Sequence, residues 1–166
     1  MSARLRVAVL LISSAHSVVG PENYTETKVR LRKLLDKKSG GSGPIRWLLQ
    51  GLDAWYFNAD DGKHGAELWE SDLSLEHTRM VKDIRPGNEG SYPSQLCQFK
   101  GHIYFSANDG LHGIEMWRTD GSRRNTTVFH DINVGAAGSY PQGMTDCGGT
   151  HMFFAATDGT VTPARP

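Results

Sequence analysis

The sequence predicts an all-β protein of tandem four-stranded antiparallel units, propeller-like in size, with about two and a fraction repeats behind a signal-like segment and a short basic helix. Three observations predict it. Residues 56–69 and 104–117 carry nearly the same text, Tyr-Phe-x-Ala-x-Asp-Gly-x-His-Gly-x-Glu-x-Trp, and aligning 53–100 on 101–148 without a gap gives 19 identities in 48 positions. Self-similarity at such a period marks repeated supersecondary units that bury their apolar faces against neighbours. Within each copy, short runs of alternating apolar and polar residues are bounded by Gly, Asn and Asp, the pattern of strands joined by turns. The 19 glycines fit a turn-rich chain.

The first 20 residues read as a signal peptide. Arg4 and Arg6 form a positive start, residues 7–12 a short apolar core, and Ser13 and Ala15 a small-residue cut site. The run is too short to span a bilayer; a buried N-terminal strand is the competing reading. The triplets Asn23-Tyr24-Thr25 and Asn125-Thr126-Thr127 make Asn23 and Asn125 glycosylation candidates, in keeping with a secreted or cell-surface location.

Residues 21–44 read as a basic helix and a Gly/Ser linker. Asn23 to Lys38 predicts the helix, capped by Asn23 or Thr25, with Leu31, Leu34 and Leu35 on one side and Lys28, Arg30, Arg32, Lys33, Lys37 and Lys38 around them. The preferred reading is a solvated spacer; attachment to an acidic surface is the functional alternative.

The repeats follow as 45–94, 95–142 and a truncated third copy over 143–166. In the second copy the strands are expected at Gln95 to Phe99, His102 to Ala107, Gly113 to Arg118 and Thr127 to Ile132, with Lys100-Gly101 as a tight turn. Phe57, Phe105 and Phe154 recur on one strand face with Ala59, Ala107 and Ala156, and Trp69 and Trp117 recur on the next strand. These five aromatic residues are the expected structural core of the repeat, since burying each is worth roughly 2–3 kcal/mol. The third copy stops mid-unit, which predicts a fragment of a longer array or a chain completed by self-association.

Charge excludes one class of partner. Residues 45–166 carry ten Lys/Arg against fifteen Asp/Glu, so the repeats lack the basic face that nucleic acid requires. Cys97 and Cys147 occupy neighbouring repeats without being equivalent, so spacing alone does not pair them.

Glu67-Leu68-Trp69-Glu70-Ser71-Asp72 and Glu115-Met116-Trp117-Arg118-Thr119-Asp120-Gly121-Ser122, each after Asp-Gly-x-His-Gly, resemble the ELWxxDGT repeat of extracellular and surface proteins. The resemblance covers about residues 53–160 and extends through Val81-Lys82-Asp83-Ile84-Arg85-Pro86-Gly87 and Gly90-Ser91-Tyr92-Pro93. It implies a propeller-like β-repeat without established catalytic residues. Leu73-Ser74 stands where the motif has Gly-Thr, and Met116 where it has Leu.

One recurring constellation invites chemistry. Asp61, His64 and Glu67, and their copies Asp109, His112 and Glu115, would suit a cation such as calcium. The preferred reading is structural: the aspartates accept backbone N–H groups in a turn and the histidines bond across it. No catalytic residue, cofactor site or nucleophile motif is expected, because a feature repeated in every unit serves the unit. The expected function is therefore a non-enzymatic extracellular binding or structural module for an unidentified protein or glycan. The alternatives are a fragment of a propeller-type enzyme acting on glycans or other extracellular polymers, and a calcium-binding repeat.

Overall fold

The computed structural model describes residues 21–39, 44–51 and 53–160; the signal-like segment and most of the linker lie outside them. A single helix, α1 (Pro21–Ser39), precedes the sheets and ends in Lys37 and Lys38, where cations complement the helix dipole. It starts before the expected caps, with proline in its first turn, where a missing N–H costs nothing. No described helix is long and apolar enough to cross a membrane.

The rest is antiparallel β structure. The first sheet runs in sequence order through β1 (Leu48–Gly51), β2 (Ala54–Asp60), β3 (Ala66–Ser71) and β4 (Arg79–Lys82). The second repeats it with β5 (Ser94–Phe99), β6 (His102–Asn108), β7 (Ile114–Thr119) and β8 (Thr127–His130). A two-stranded hairpin, β9 (Gln142–Cys147) and β10 (His151–Ala155), follows. Strand β8 ends before the expected Ile132, because the Ile132 N–H is taken by the Glu115 carboxylate. At the β5–β6 turn, Lys100 and Gly101 have φ of 46° and 74°, the paired positive values a two-residue hairpin needs.

Register repeats as faithfully as sequence. Phe57 stands opposite Trp69 and Ala59 opposite Glu67; Phe105 stands opposite Trp117 and Ala107 opposite Glu115. Both units carry a register shift between the third and fourth strands at the residue before the tryptophan; the second unit adds one between β5 and β6, which the first lacks. Phe57, Phe105, Trp69 and Trp117 are all buried.

Alternation along each strand creates two apolar faces, and the sheets stack through them. One face of the second sheet, with Ile103, Phe105, Ala107 and Trp117, packs on Tyr56, Leu68, Val81 and Ile84 of the first. The equivalent face of the first sheet, with Trp55, Phe57, Ala59 and Trp69, is covered by Leu31 and Leu35 of α1 together with Ile45. Tyr24, Thr27, Leu31 and Leu35 form a stripe at three- and four-residue spacing, and the Tyr24 ring meets Trp55 edge-on at 5.5 Å.

The helix is thus not the solvated spacer expected from its charge; it substitutes for a neighbouring sheet. Polar contacts repeat the substitution. Lys82 of the first unit donates to the Thr126 carbonyl in the second at 2.7 Å, and Lys38 of α1 donates to the carbonyl of Thr78, the equivalent of Thr126. Lys37, Arg30, Arg32 and Lys33 remain on the solvent side, all of them exposed.

Phe154 departs from expectation. It is 39% exposed and belongs to no buried cluster. Among the described residues β10 pairs only with β9, so Phe154 has no cross-strand partner of the Trp117 kind. Cys97 and Cys147 are both free thiols.

Candidate functional site

The repeated polar residues gather where the β2–β3 and β6–β7 loops meet the segments leading into the next unit. In the first of these loops Asp61 Oδ1 accepts the N–H groups of Lys63 (3.0 Å) and His64 (2.9 Å), and Oδ2 meets His64 Nδ1 at 2.8 Å. The second copies it: Asp109 accepts from Leu111 (2.8 Å) and His112 (2.9 Å) and meets His112 Nδ1 at 2.7 Å. Burial opposes ionisation of Asp61 and Asp109, but the N–H groups and the imidazole outweigh it and hold both below the usual carboxylate range. The hydrogen bond to its aspartate raises each histidine above its ordinary value.

Glu67 and Glu115 point elsewhere. Glu67 is fully buried and accepts from Ile84 N (3.2 Å), Arg85 N (3.0 Å), Ser91 N (3.0 Å) and Ser91 Oγ (2.5 Å). Glu115 accepts from Ile132 N, Asn133 N, Ser139 N and Ser139 Oγ, the same four groups one repeat later. Burial pushes the Glu67 carboxyl up to about 6, against the opposing pull of Ser91, Arg85 and Ile84. Each glutamate is an anchor that ties the connecting segment to its sheet. The Asp-His-Glu set read from the sequence is therefore split in both units into an Asp–His loop pair and a buried loop anchor. Among the described residues, no three His, Cys, Asp or Glu side chains are gathered as metal ligands.

The loops close on glycine backbones. A Cβ at Gly65 would lie 2.6 Å from the Gly90 nitrogen, and one at Gly113 2.4 Å from the Gly138 nitrogen, so only glycine admits this approach. Close by in sequence, the Oδ1 atoms of Asp83 and Asp131 are buried without a partner among the described residues. Asp72 and Asp120, in the third hairpin, sit at about 2: hydrogen bonds from Ser74 and His77 lower the first, and from Asn125 and Ser122 the second. They hold a turn. The Asn125 side-chain nitrogen, the glycosylation candidate, is one of those donors at 2.5 Å on an exposed loop, whereas Asn23 lies within α1.

The Gly-Ser-Tyr-Pro segments stitch successive units together. Tyr92 N–H donates to Ala66 O (2.9 Å) in one sheet, while Ser91 O accepts Asn108 N–H (2.9 Å) from the next. Tyr140 N–H likewise donates to Ile114 O, and Ser139 O accepts from Thr157 N–H. This geometry forces both tyrosines to φ 51°, a left-handed conformation that costs a bulky residue of order 1–3 kcal/mol. Their rings recover little by burial, being 66% and 60% exposed. Tyr92 borders a cleft of about 230 Å³ shared with Pro44, Arg46, Asn58, Ala59, Asp60 and Ala66.

These tyrosines were not singled out in the sequence as functional. The available signal was an aromatic residue recurring between Ser and Pro in a turn, where glycine would satisfy the backbone. Comparison with protein-family models, curated proteins and solved structures finds no match to this chain.

Proposed function

We propose that the chain is an exported, non-enzymatic binding module of propeller-like β-repeats, acting at a cell surface or in extracellular material through the rim that carries Tyr92 and Tyr140. The observation that supports this reading most is the division of labour on that rim. The repeated carboxylates are committed to holding loops, Glu67 and Glu115 by four hydrogen bonds each, while two strained tyrosines stand in solvent. Exposed aromatic side chains on a rigid scaffold contribute contact area at low entropic cost. A signal-like start and the resemblance to the ELWxxDGT repeat of surface proteins favour export.

The test is binding of fluorescently labelled protein to the surface of the producing cells, read by cytometry. Saturable binding that falls at least fivefold in a Tyr92→Gly, Tyr140→Gly double variant supports the reading. Absent binding, or binding indifferent to the rim, overturns it.

A further inference from the structure

Resting on the rim as the binding edge, we infer that the Tyr92 cleft takes a neutral saccharide, with Tyr140 offering the equivalent ring one repeat on. A sugar ring has an apolar C–H face and an edge of hydroxyl groups that both donate and accept. The cleft matches both halves. Tyr92 supplies an exposed aromatic surface, and Ala59, Ala66 and Pro44 give it apolar walls. The same cleft carries Arg46, Asn58 and Asp60, a donor, an amide and a carboxylate.

The orientation of these groups is set in advance. Asn58 Oδ1 is held by the N–H groups of Arg46 (3.0 Å) and Trp47 (2.8 Å), which leaves its Nδ2 as the donor side of the amide. Asp60 Oδ1 accepts Gly62 N–H at 2.7 Å, which fixes the carboxylate while Oδ2 remains as an acceptor. The Arg46 charge is offset by Asp60, so the cleft favours an uncharged ligand over an anion. At about 230 Å³ it falls below the roughly 300–1,000 Å³ of drug-sized pockets and fits one sugar ring of a longer chain.

The backbone that carries the ring is held in place. Ser91 on one side of Tyr92 is buried and bonded twice to Glu67, Pro93 on the other side is buried, and the Tyr92 N–H is fixed to Ala66. Ligand contact therefore requires little further ordering of the backbone. Tyr140 repeats the backbone bridge and the exposed ring on the next unit, where Ser106 and Asn108 stand in place of Asn58 and Asp60, so the second ring serves as a stacking surface and a polymer that reaches both rings gains avidity that a single sugar does not.

Affinity electrophoresis of the full chain in native gels containing laminarin, hydroxyethylcellulose or galactomannan tests this inference. At least one polymer should retard the wild type. Tyr92→Gly should weaken retardation at least fivefold, the double glycine variant should abolish it, and Tyr92→Phe should retain it. The glycine variants keep the left-handed backbone without strain, so their melting temperatures should equal or exceed that of the wild type. No retardation by any of the three polymers, or full retardation of the double variant, overturns the inference. Cell-surface binding that survives periodate but is lost after protease treatment would retire the saccharide and leave the binding module standing. Retardation by a polymer without any cell-surface binding would do the reverse.

Discussion

Truncating Glu67 to alanine removes the acceptor for three backbone N–H groups and one hydroxyl in a buried site. An unsatisfied buried donor costs about 1–3 kcal/mol, so three N–H groups sum to about 3–9 kcal/mol unless water reaches them. A domain has only about 5–15 kcal/mol to lose, and Glu67→Ala is expected to leave the first unit largely unfolded. Glu67→Gln should be far milder. Its Oε1 still accepts from Arg85 and Ser91, the Ser91 hydroxyl turns to accept from the new amide, and only the Ile84 N–H is orphaned, at about 1–3 kcal/mol. Protonation adds a second handle. The folded carboxyl lies at about 6 against an ordinary 4.5, a gap equivalent to about 2 kcal/mol. Because the folded value is raised, the protonated anchor is the stabler one. That contribution is fully present below pH 4.5 and lost as pH rises through 6. Urea unfolding followed by tryptophan fluorescence at pH 4.5, 6 and 7.5 measures all of this. The wild-type advantage over Glu67→Gln should shrink by about 1.5 kcal/mol across the series. Equal losses for the alanine and glutamine variants, or a loss under 1 kcal/mol for alanine, would refute the anchoring argument.

Other expectations follow from the same geometry. Leu31→Asp with Leu35→Asp should uncover the Phe57 face and raise binding of a hydrophobic dye, while a solvent-side Arg32→Ala should leave it unchanged. Trp69→Ala and Trp117→Ala should each cost about 3–5 kcal/mol in chemical denaturation, with Asn125→Ala below about 1 kcal/mol because its loop is exposed. Leu73→Gly should be tolerated, since Leu73 holds φ 71° where the second unit has Gly121, whereas Gly121→Leu should be severely destabilising because a Cβ there would lie 2.6 Å from the Tyr56 hydroxyl. In NMR titration His64 and His112 should protonate above the ordinary value, and Asp61→Asn should return His64 toward it; their contribution to stability is present below pH 6.5 and lost as pH rises through the folded values. Millimolar calcium against a chelator should not shift the melting temperature, whereas a site at a hundredfold excess over its Kd would add about 2.7 kcal/mol.

The sequence by itself determined the repeat, its period and nearly every strand, because period-two alternation and Gly-Asp-Asn turns are local signals that the chain states twice, once in each 48-residue copy. It also identified the turn role of Asp61 and Asp109, since an aspartate two or three residues before its N–H partners needs no distant neighbour. Tertiary structure decided the rest. Glu67 and His64 are three residues apart in sequence, yet only sheet pairing and loop closure show the glutamate turned inward to Ser91, 24 residues away. The charge of α1 suggested a solvated helix, while its burial depends on an uncovered Phe57 face that exists only once β1 to β4 have assembled. Phe154 matches Phe105 in text but not in environment, because burial belongs to the partner strand rather than to the residue. Tyr92 and Tyr140 became conspicuous only when the backbone was seen bridging two sheets at once: a left-handed φ and an exposed ring are consequences of closure between units, of which the recurring Ser-Tyr-Pro text is only the local trace.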